Sequence, residues 1–393
     1  MTPLRAGVCG LGTMGRHHAR VLAAMPGVHL VAACDPDRSA GAAAPSLRVL
    51  PDLDQMLALD LDICVVAAPT MAHAEIGARL AEAGVHTLIE KPLAASAEEA
   101  RTLAAAFERA GLVGCVGHIE RFNPVVRAMR ERIGRGEIGA VRQITTSRQG
   151  PYPQRIRDVG VILDLASHDI DLTRWIARSP YLKVSAVTSQ VLDGSGHEDM
   201  AAVAGVLEDG TVVNHLVNWL SPVKERLVTV TGELGCLRGD LLDRTLRLYR
   251  CDQGSATSPA DDRATPCEVG TEEPLRIQLE GLVDAVRGND DGIVTMRAGA
   301  EVVEVTSAIL AAPWAGVEVP ATDRTANPVR PGTGPAATVV PAQPNTDRTA
   351  APKTPRQRPP SAAAPAGPPA GPDGVLPVLV AGYVLAPGSR RFF

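Results

Sequence analysis

The stretch Ala6-Gly7-Val8-Cys9-Gly10-Leu11-Gly12-Thr13-Met14-Gly15 decides the fold of this chain, because it places the pattern G-x-G-x-x-G between a β-rich run and a helical stretch. Gly10 permits a tight turn, Gly12 lets a phosphate approach the backbone, and Gly15 lets helix and strand pack closely. The helix start, with Thr13 and Met14, presents free N–H groups and a partial positive charge. The stretch predicts a dinucleotide-binding β-α unit.

An acidic residue closes the next β-rich run. Asp35 lies 20 residues after Gly15 and directly follows residues 31–34. A carboxylate at this position accepts hydrogen bonds from the ribose hydroxyls and repels a 2′-phosphate, so it predicts NAD in preference to NADP. Arg38 is close enough in sequence to soften that preference.

Two further segments are expected in the same crevice. Pro69-Thr70-Met71-Ala72-His73 and Glu90-Lys91-Pro92 each follow a predicted strand, and ligands bind at the carboxyl edge of an open parallel sheet. We therefore predict that Pro69, Thr70, His73 and Glu90 bind the cofactor. Lys91 is predicted to donate to a substrate hydroxyl or to stabilise a developing alkoxide, and Pro92 to fix an unusual, including cis, peptide geometry.

The pattern of predicted elements changes near residue 120. Before it, short apolar runs alternate with amphipathic helices, which indicates a parallel sheet covered on both faces. The predicted strands are residues 5–9, 29–34, 62–67, 86–89 and 113–116, and the predicted helices are 14–25, 72–83 and 97–110. Ser96 followed by Glu99 predicts a capping box for the last of these helices.

Residues 119–320 instead contain strand-like runs separated only by turns, which predicts an open, mostly antiparallel sheet with a few helices. The predicted strands are 141–147, 183–191, 200–207, 211–219 and 227–231, and the predicted helices are 163–177, 275–287 and 298–311. The predicted domains are therefore 1–120, a doubly wound Rossmann domain, and 121–320, an α+β substrate-binding and oligomerisation domain. Residues 321–393 hold 15 of the 32 prolines and are predicted to be a disordered tail.

Composition excludes several classes of function. The net charge is −5 and aromatic residues make up 3% of the chain, so neither a basic field nor a base-stacking surface for nucleic acid is expected. No two of the seven cysteines form a C-x-x-C pair, which disfavours a disulfide framework or structural zinc and favours a reducing cytoplasm. No signal peptide and no apolar run long enough for a membrane helix is recognised.

The glycine loop, the Pro69 to His73 element and Glu90-Lys91-Pro92 resemble the glucose–fructose oxidoreductase/inositol dehydrogenase/MocA (Gfo/Idh/MocA) family over residues 3–319. The family's second signature, D-x-x-x-H, is present as Asp164-Leu165-Ala166-Ser167-His168. The resemblance implies a nicotinamide cofactor and a homo-oligomer, dimer or tetramer. It also implies His168 as general base, Lys91 as its assistant and Asp164 as the residue that orients the pair.

The spacing of the second signature leaves alternatives open. On a helix, Asp164 and His168 share a face at positions i and i+4, and Asp171 lies one turn further along. The same residues, with His118, have a spacing that would also permit a metal site, although Lys91 would compete with a cation. A solvated helix start that happens to carry Asp and His is the plainer alternative, and we expect no metal.

Longer strings narrow the resemblance to UDP-N-acetylglucosamine 3-dehydrogenases, which oxidise the sugar's 3-hydroxyl with NAD. These strings are residues 116–124, 150–164 and 218–222. A sugar nucleotide carries a diphosphate, for which arginine forks are suited. Arg121, Arg148, Arg155 and Arg157 are predicted to supply the contacts with the diphosphate. Tyr152 is predicted to stack on the uracil or to cap the sugar, and Asn123 and Asp171 are also predicted to bind the substrate. The alternative for the arginines is ordinary ion pairing at the surface or between domains.

Three functions therefore remain in view from the sequence. The first is NAD-dependent oxidation of UDP-N-acetylglucosamine, or a close UDP-sugar, to a 3-keto sugar nucleotide. The second is a dehydrogenase or ketoreductase of the same family that acts on another sugar or a cyclitol. The third is a non-catalytic nicotinamide sensor or partner-binding protein, against which the presence of Lys91, Asp164 and His168 argues.

Overall fold

The computed structural model describes residues 2–37, 39–40, 47–153, 159–192, 196–251, 264–289 and 292–311, all of which lie in one compact unit, Met1–Glu318. Arg38, Arg155, Arg157 and the predicted tail, 321–393, lie outside these ranges. Within them the chain forms two sheets, and the predicted α/β fold class is confirmed.

The first sheet has six parallel strands in the order β3-β2-β1-β4-β5-β6, the doubly wound arrangement predicted from the glycine loop. Its central strands carry apolar residues without polar alternation, because helices cover both faces. The strands are β1 Leu4–Cys9, β2 Val28–Cys34, β3 Val49–Leu50, β4 Ile63–Val66, β5 His86–Ile89 and β6 Gly114–Val116. The two-residue strand β3 was not predicted, since it is too short to show a period.

Four helices follow these strands, α1 Thr13–Ala24, α2 Leu53–Leu57, α3 His73–Glu82 and α4 Ala97–Ala110. The predicted capping box is present: the Ser96 side chain accepts from the Glu99 N–H, and the Glu99 carboxylate accepts from the Ser96 N–H. Gly111, with φ of 64°, ends α4 in the left-handed conformation that favours glycine. Helix α2 was not predicted, because one and a half turns carry little pattern.

The second sheet has eight strands in the order β14-β13-β12-β11-β7-β10-β9-β8, and all neighbours are antiparallel except β7 and β10. A tight turn at residues 208–210 joins β9 to β10 as an antiparallel hairpin. The strands are β7 Val141–Pro151, β8 Tyr181–Ser189, β9 Met200–Leu207, β10 Val212–Asn218, β11 Leu220–Gly232, β12 Gly235–Asp240, β13 Thr245–Arg250 and β14 Ala264–Cys267. The sequence reading missed the last three.

Two helical segments lie on the inner face of this sheet. Helix α5, Pro124–Gly134, was not predicted, although Asn123 caps it and proline stands at its first turn. Helix α6, Ser167–Ala177, is preceded by a π-helical turn, Ile162–Ala166. The predicted i, i+4 geometry of Asp164 and His168 is therefore modified, because Asp164 lies in the wider π turn and His168 in the α-helix.

The last two described helices return to the first sheet. Leu279 and Leu282 of α7, Pro274–Val286, belong to the apolar core on one face of that sheet. Helix α8, Met296–Ala311, places Val303 in the core on the other face and Val302 in the core beneath the second sheet. These helices follow the second sheet in sequence, yet they complete the core of the first.

The outer face of the second sheet carries apolar side chains exposed to solvent, among them Val187, Val212 and Leu216. No helix in the described ranges is long and apolar enough to cross a membrane.

Candidate active site

The glycine loop after β1 has the geometry of a phosphate cradle. Gly10 has φ of 88°, and a Cβ there would lie 2.6 Å from the Ala67 carbonyl oxygen. A Cβ on Gly15 would overlap the carbonyl oxygen of Gly10. A Cβ on Gly12 would meet nothing within 4 Å, so space adjoins the backbone at the position where a pyrophosphate is expected.

The first turn of α1 leaves N–H donors for that space. The helix begins at Thr13, and Gly12 at its N-cap supplies no side-chain acceptor. Asp35, after β2, accepts from the Leu11 N–H at 2.7 Å and from the Asp37 N–H at 2.9 Å. The carboxylate therefore braces the glycine loop beside the pocket. This arrangement fits a dinucleotide, with the helix start toward the phosphates and Asp35 toward a ribose.

Two crevice segments are joined by a buried histidine. His73, at the start of α3, has Nδ1 2.8 Å from the Pro92 carbonyl and Nε2 2.9 Å from the Ala68 carbonyl. The Lys91–Pro92 peptide bond is cis. Both His73 nitrogens therefore face backbone oxygens, and the predicted contact of this residue with the cofactor stays a prediction. Pro69 and Thr70 lie beside it, at the 3-10 turn Thr70–Ala72.

Glu90 is also held from within. Its Oε1 lies 2.7 Å from His18 Nε2 of α1, and its Oε2 accepts from the Lys91 N–H at 3.2 Å. Burial opposes ionisation, but the hydrogen bond with His18 and the charge of Lys91 lower the pKa of Glu90 below its usual value. Glu90 thus ties the cofactor helix to the lysine segment. His18 was not predicted, because it belongs to no recognised motif.

Lys91 reaches from the first sheet to the π turn beside the second. Its Nζ donates to Asp164 Oδ1 and to the Asp164 carbonyl oxygen, each at 2.8 Å. Both side chains keep partial exposure, 15% for Lys91 and 13% for Asp164. An ammonium group has three N–H donors, so one remains for another acceptor. The structure therefore brings together two of the three predicted catalytic residues.

His168, the third, lies one turn beyond Asp164 and is half-buried. Its Nδ1 is buried and has no hydrogen-bond partner among the described residues, while the side chain as a whole keeps some exposure. Burial and the nearby charges of Lys91 and Arg148 lower the pKa of His168 well below its ordinary value. The imidazole is therefore neutral near pH 7 and able to accept a proton.

His118 lies close to the same charges. Both of its ring nitrogens are buried with no partner among the described residues. Burial lowers its pKa, and Asp171 opposes that shift, while Arg121 and Lys91 add to it. The sequence reading considered His118 only as a metal ligand. No group of three or more His, Cys, Asp or Glu side chains in the described ranges is arranged to hold a metal ion.

Arg121 and Arg148, predicted to contact a diphosphate, are paired inside the protein. Arg121 grips Asp171 with Nε at 2.8 Å and Nη2 at 2.5 Å. Arg148, which is 3% exposed, donates to Asp169 at 3.0 Å and to Glu120 at 2.8 Å. Both arginines are therefore engaged in buried ion pairs within the protein, and their predicted contact with a diphosphate stays a prediction. Removing one partner of such a pair leaves a buried charge, at a cost of about 3–5 kcal/mol.

Two other predicted substrate residues have structural contacts. Asn123 is buried and caps α5 by accepting from the Val125 N–H, and its predicted contact with substrate stays a prediction. Tyr152 is half-buried and packs edge-on against Trp219, with ring centroids 5.4 Å apart.

The structure adds one residue that no sequence signal indicated. Arg226 on β11 stands opposite Arg148 of β7, and its charge contributes to lowering the pKa of His168. A single arginine in a strand carries no motif, and only the register of the sheet places it at the site.

Comparison with known proteins identifies one family over both sheets. Residues 4–118 match the Gfo/Idh/MocA oxidoreductase family, NAD-binding Rossmann fold, and residues 126–238 match the C-terminal domain of that family. The chain is 30% identical over 315 residues to UDP-N-acetylglucosamine 3-dehydrogenase of Acidithiobacillus ferrooxidans, covering 79% of this chain and 98% of that protein. It is 25% identical over 308 residues to the scyllo-inositol 2-dehydrogenase (NAD(+)) of Bacillus subtilis, covering 74% and 89%.

Solved structures agree with these similarities. The structure of the Acidithiobacillus ferrooxidans UDP-N-acetylglucosamine 3-dehydrogenase, GnnA, superposes with a TM-score of 0.70 at 28% identity, covering 80% of this chain and 98% of that one. GenD2 from gentamicin A biosynthesis, in complex with NAD, superposes with a TM-score of 0.69 at 28% identity, covering 79% and 94%.

Proposed function

This chain belongs to the Gfo/Idh/MocA family of oxidoreductases, and from that premise we propose that it oxidises the 3-hydroxyl of UDP-N-acetylglucosamine to a 3-keto sugar nucleotide. The observation that carries the proposal is the contact of Lys91 with Asp164 one turn before His168, which gathers an ammonium, a carboxylate and a neutral imidazole.

NAD is the cofactor, and when bound it accepts a hydride from the carbon that bears the hydroxyl. The residues that would hold it are Gly10, Gly12, Gly15, the first N–H groups of α1, and Asp35. The space beside Gly12 fits the pyrophosphate, because that glycine alone of the three has no atom near its missing Cβ.

His168 acts as the general base. Its side chain is only half-buried, and its Nε2 is proposed to accept the hydroxyl proton as the carbon–hydrogen bond breaks. Burial serves this role, because it keeps the imidazole neutral until the proton is transferred. The products are a ketone, NADH and a proton that leaves through His168.

Lys91 supplies the second contact with the hydroxyl oxygen. Two of its donors are held by Asp164, which fixes the direction of the third. A cation at this point stabilises negative charge that develops on the oxygen as the proton leaves. Asp164 is thus a positioning residue, and its charge balances that of the lysine.

The choice of substrate rests on likeness to UDP-N-acetylglucosamine 3-dehydrogenases over most of the chain. Inositol dehydrogenases are also among the relatives, so a neutral cyclitol or another sugar is the second candidate.

We further propose a cytoplasmic location, because none of the seven cysteines forms a disulfide.

The test is to mix purified protein with NAD and UDP-N-acetylglucosamine and to follow the absorbance of NADH. We expect turnover by the wild type, and His168→Asn and Lys91→Ala should each reduce kcat by about 10²–10⁴-fold. Matched controls are His29→Asn and Lys183→Ala, since both side chains are exposed and remote from the site.

The outcomes separate the candidates. Turnover with scyllo-inositol but not with UDP-N-acetylglucosamine would favour the second. Near-normal turnover in both site variants would overturn the assigned chemistry. Failure of every sugar to reduce NAD, with NAD still bound, would favour a non-catalytic role.

A further inference from the structure

Two arginines face each other across neighbouring strands on the inner face of the second sheet, and they differ in their partners. Arg148 of β7 pairs with both Glu120 and Asp169. Arg226 of β11, directly opposite in register, pairs with no carboxylate of the described residues. The buried cluster thus leaves one cation without a counter-ion.

The hydrogen bonds of Arg226 leave one edge of its guanidinium open. Nη1 donates to the carbonyl oxygens of Gln149 and Glu225, each at 2.7 Å. Among the described residues Nε and Nη2 have no hydrogen-bond partner, and the side chain is only half-buried. This is the same edge with which Arg121 grips the carboxylate of Asp171. The open edge is therefore shaped for a bidentate anion.

The environment makes an unpaired cation costly. Burial and the neighbouring charge of Arg148 lower the pKa of Arg226 to about 10, against the partial compensation of Asp169, Glu120 and Asp164. The positive charge of Arg226 also contributes to lowering the pKa of His168. An anion at the open edge would relieve the repulsion between the two arginines, and it would lie beside the proposed base.

We propose that Arg226 binds the diphosphate of the sugar-nucleotide substrate through its Nε and Nη2 edge, and so selects anionic sugars over neutral ones. The inference rests on the proposed function. A neutral sugar would leave the arginine partly desolvated and unpaired, whereas a diphosphate accepts both of its free donors. Arg121 and Arg148 cannot fill this role without giving up their carboxylates.

The test compares Arg226→Gln and Arg226→Lys with the wild type in binding of UDP, measured by calorimetry with NAD present. We expect UDP affinity to fall by at least about tenfold in Arg226→Gln, the loss of one charge-assisted pair. Arg226→Lys should recover part of it, because lysine keeps the charge but lacks the fork. Arg247→Gln, an exposed arginine elsewhere on the sheet, is the matched control.

NADH binding, followed by fluorescence, and the thermal midpoint should be unchanged in Arg226→Gln, which separates lost anion binding from a damaged fold. Unchanged UDP affinity in that variant, while the wild type oxidises UDP-N-acetylglucosamine, would overturn the inference and leave the proposed function standing. Wild-type protein that binds UDP through Arg226 but oxidises no UDP-sugar would support the inference and contradict the proposed function.

Discussion

At the scale of single residues, the candidate active site consists of charged side chains that are largely buried. His168 is surrounded by positive groups, Lys91, Arg148 and Arg226, while Asp164 is engaged with the lysine. Burial and each of these cations disfavour the imidazolium, and together they lower the pKa of His168.

This arrangement predicts the pH dependence of the reaction. Because the pKa of His168 lies below its ordinary value of about 6.5, kcat/KM for oxidation should persist as the pH falls through that value. The acid limb should appear only at lower pH, where the imidazole takes up a proton. Rate measurements across the acid range test this prediction, and a limb at or above the ordinary value would contradict it. Arg226→Gln removes one cation and should move the limb to higher pH.

Residues that carry motifs were predicted from the sequence, and residues that depend on packing were not. Lys91, Asp164 and the glycines have fixed spacings, and the structure brings Lys91 and Asp164 into contact. The hydrogen bonds of His73 and Asn123 to backbone atoms could not be predicted, because they depend on how the surrounding elements pack. Arg226 could not be predicted, because its place depends on which strand of the sheet pairs with β7.

At the scale of elements, the loop between β1 and α1 uses glycine for two different reasons, packing at Gly15 and space for a ligand at Gly12. Gly15 is required by the packing of strand and helix, since a Cβ would overlap the Gly10 carbonyl. Gly12 has conventional dihedral angles, φ of −61° and ψ of −166°, and open space at its Cβ position. The protein fold has no need of a glycine at position 12.

The pair of variants Gly12→Ala and Gly15→Ala tests this separation. Gly12→Ala should keep the thermal midpoint of the wild type but weaken NADH binding by about tenfold or more, because the methyl group occupies the phosphate space. Gly15→Ala should lower the midpoint or prevent folding. Thermal unfolding and fluorescence titration give the two readouts. Full NADH affinity in Gly12→Ala would refute the cofactor position.

Elements with a strong period were predicted closely, and others were missed for physical reasons. Helix α4 has the predicted bounds, since its cap and its apolar stripe both mark them. Strand β12 contains two glycines and β13 two arginines in place of a run of β-branched residues, so pairing with their neighbours stabilises them rather than local preference. The π turn before α6 widens the spacing that the sequence reading treated as regular helix.

At the scale of the whole molecule, the outer face of the second sheet carries apolar side chains that the described part of the chain leaves exposed. Val187 of β8 and Leu216 of β10 align across β9, at Ala202, and are 50% and 41% exposed. A second copy of the chain is the proposed cover, since a contiguous exposed apolar patch favours association.

Light scattering on the purified protein should therefore give a mass of two or more chains. Leu216→Glu should shift the mass toward one chain, because a carboxylate in the centre of the patch would have to be desolvated. Leu234→Glu, at an exposed turn outside the central strands, should leave the mass unchanged. A wild-type mass of one chain would contradict the proposal.

Helix α8 has a consequence for how this molecule can be divided. A recombinant fragment that ends where the first sheet ends would lack Met296, Ala300 and Val303, and its central β-layer would face water where these side chains now lie. A chimera that takes its second sheet from a relative would have to keep α7 and α8 of this chain together with the first sheet. The cofactor-binding domain is thus discontinuous in sequence. The codons for the helices that complete its core begin some 150 codons after those for its last strand, β6.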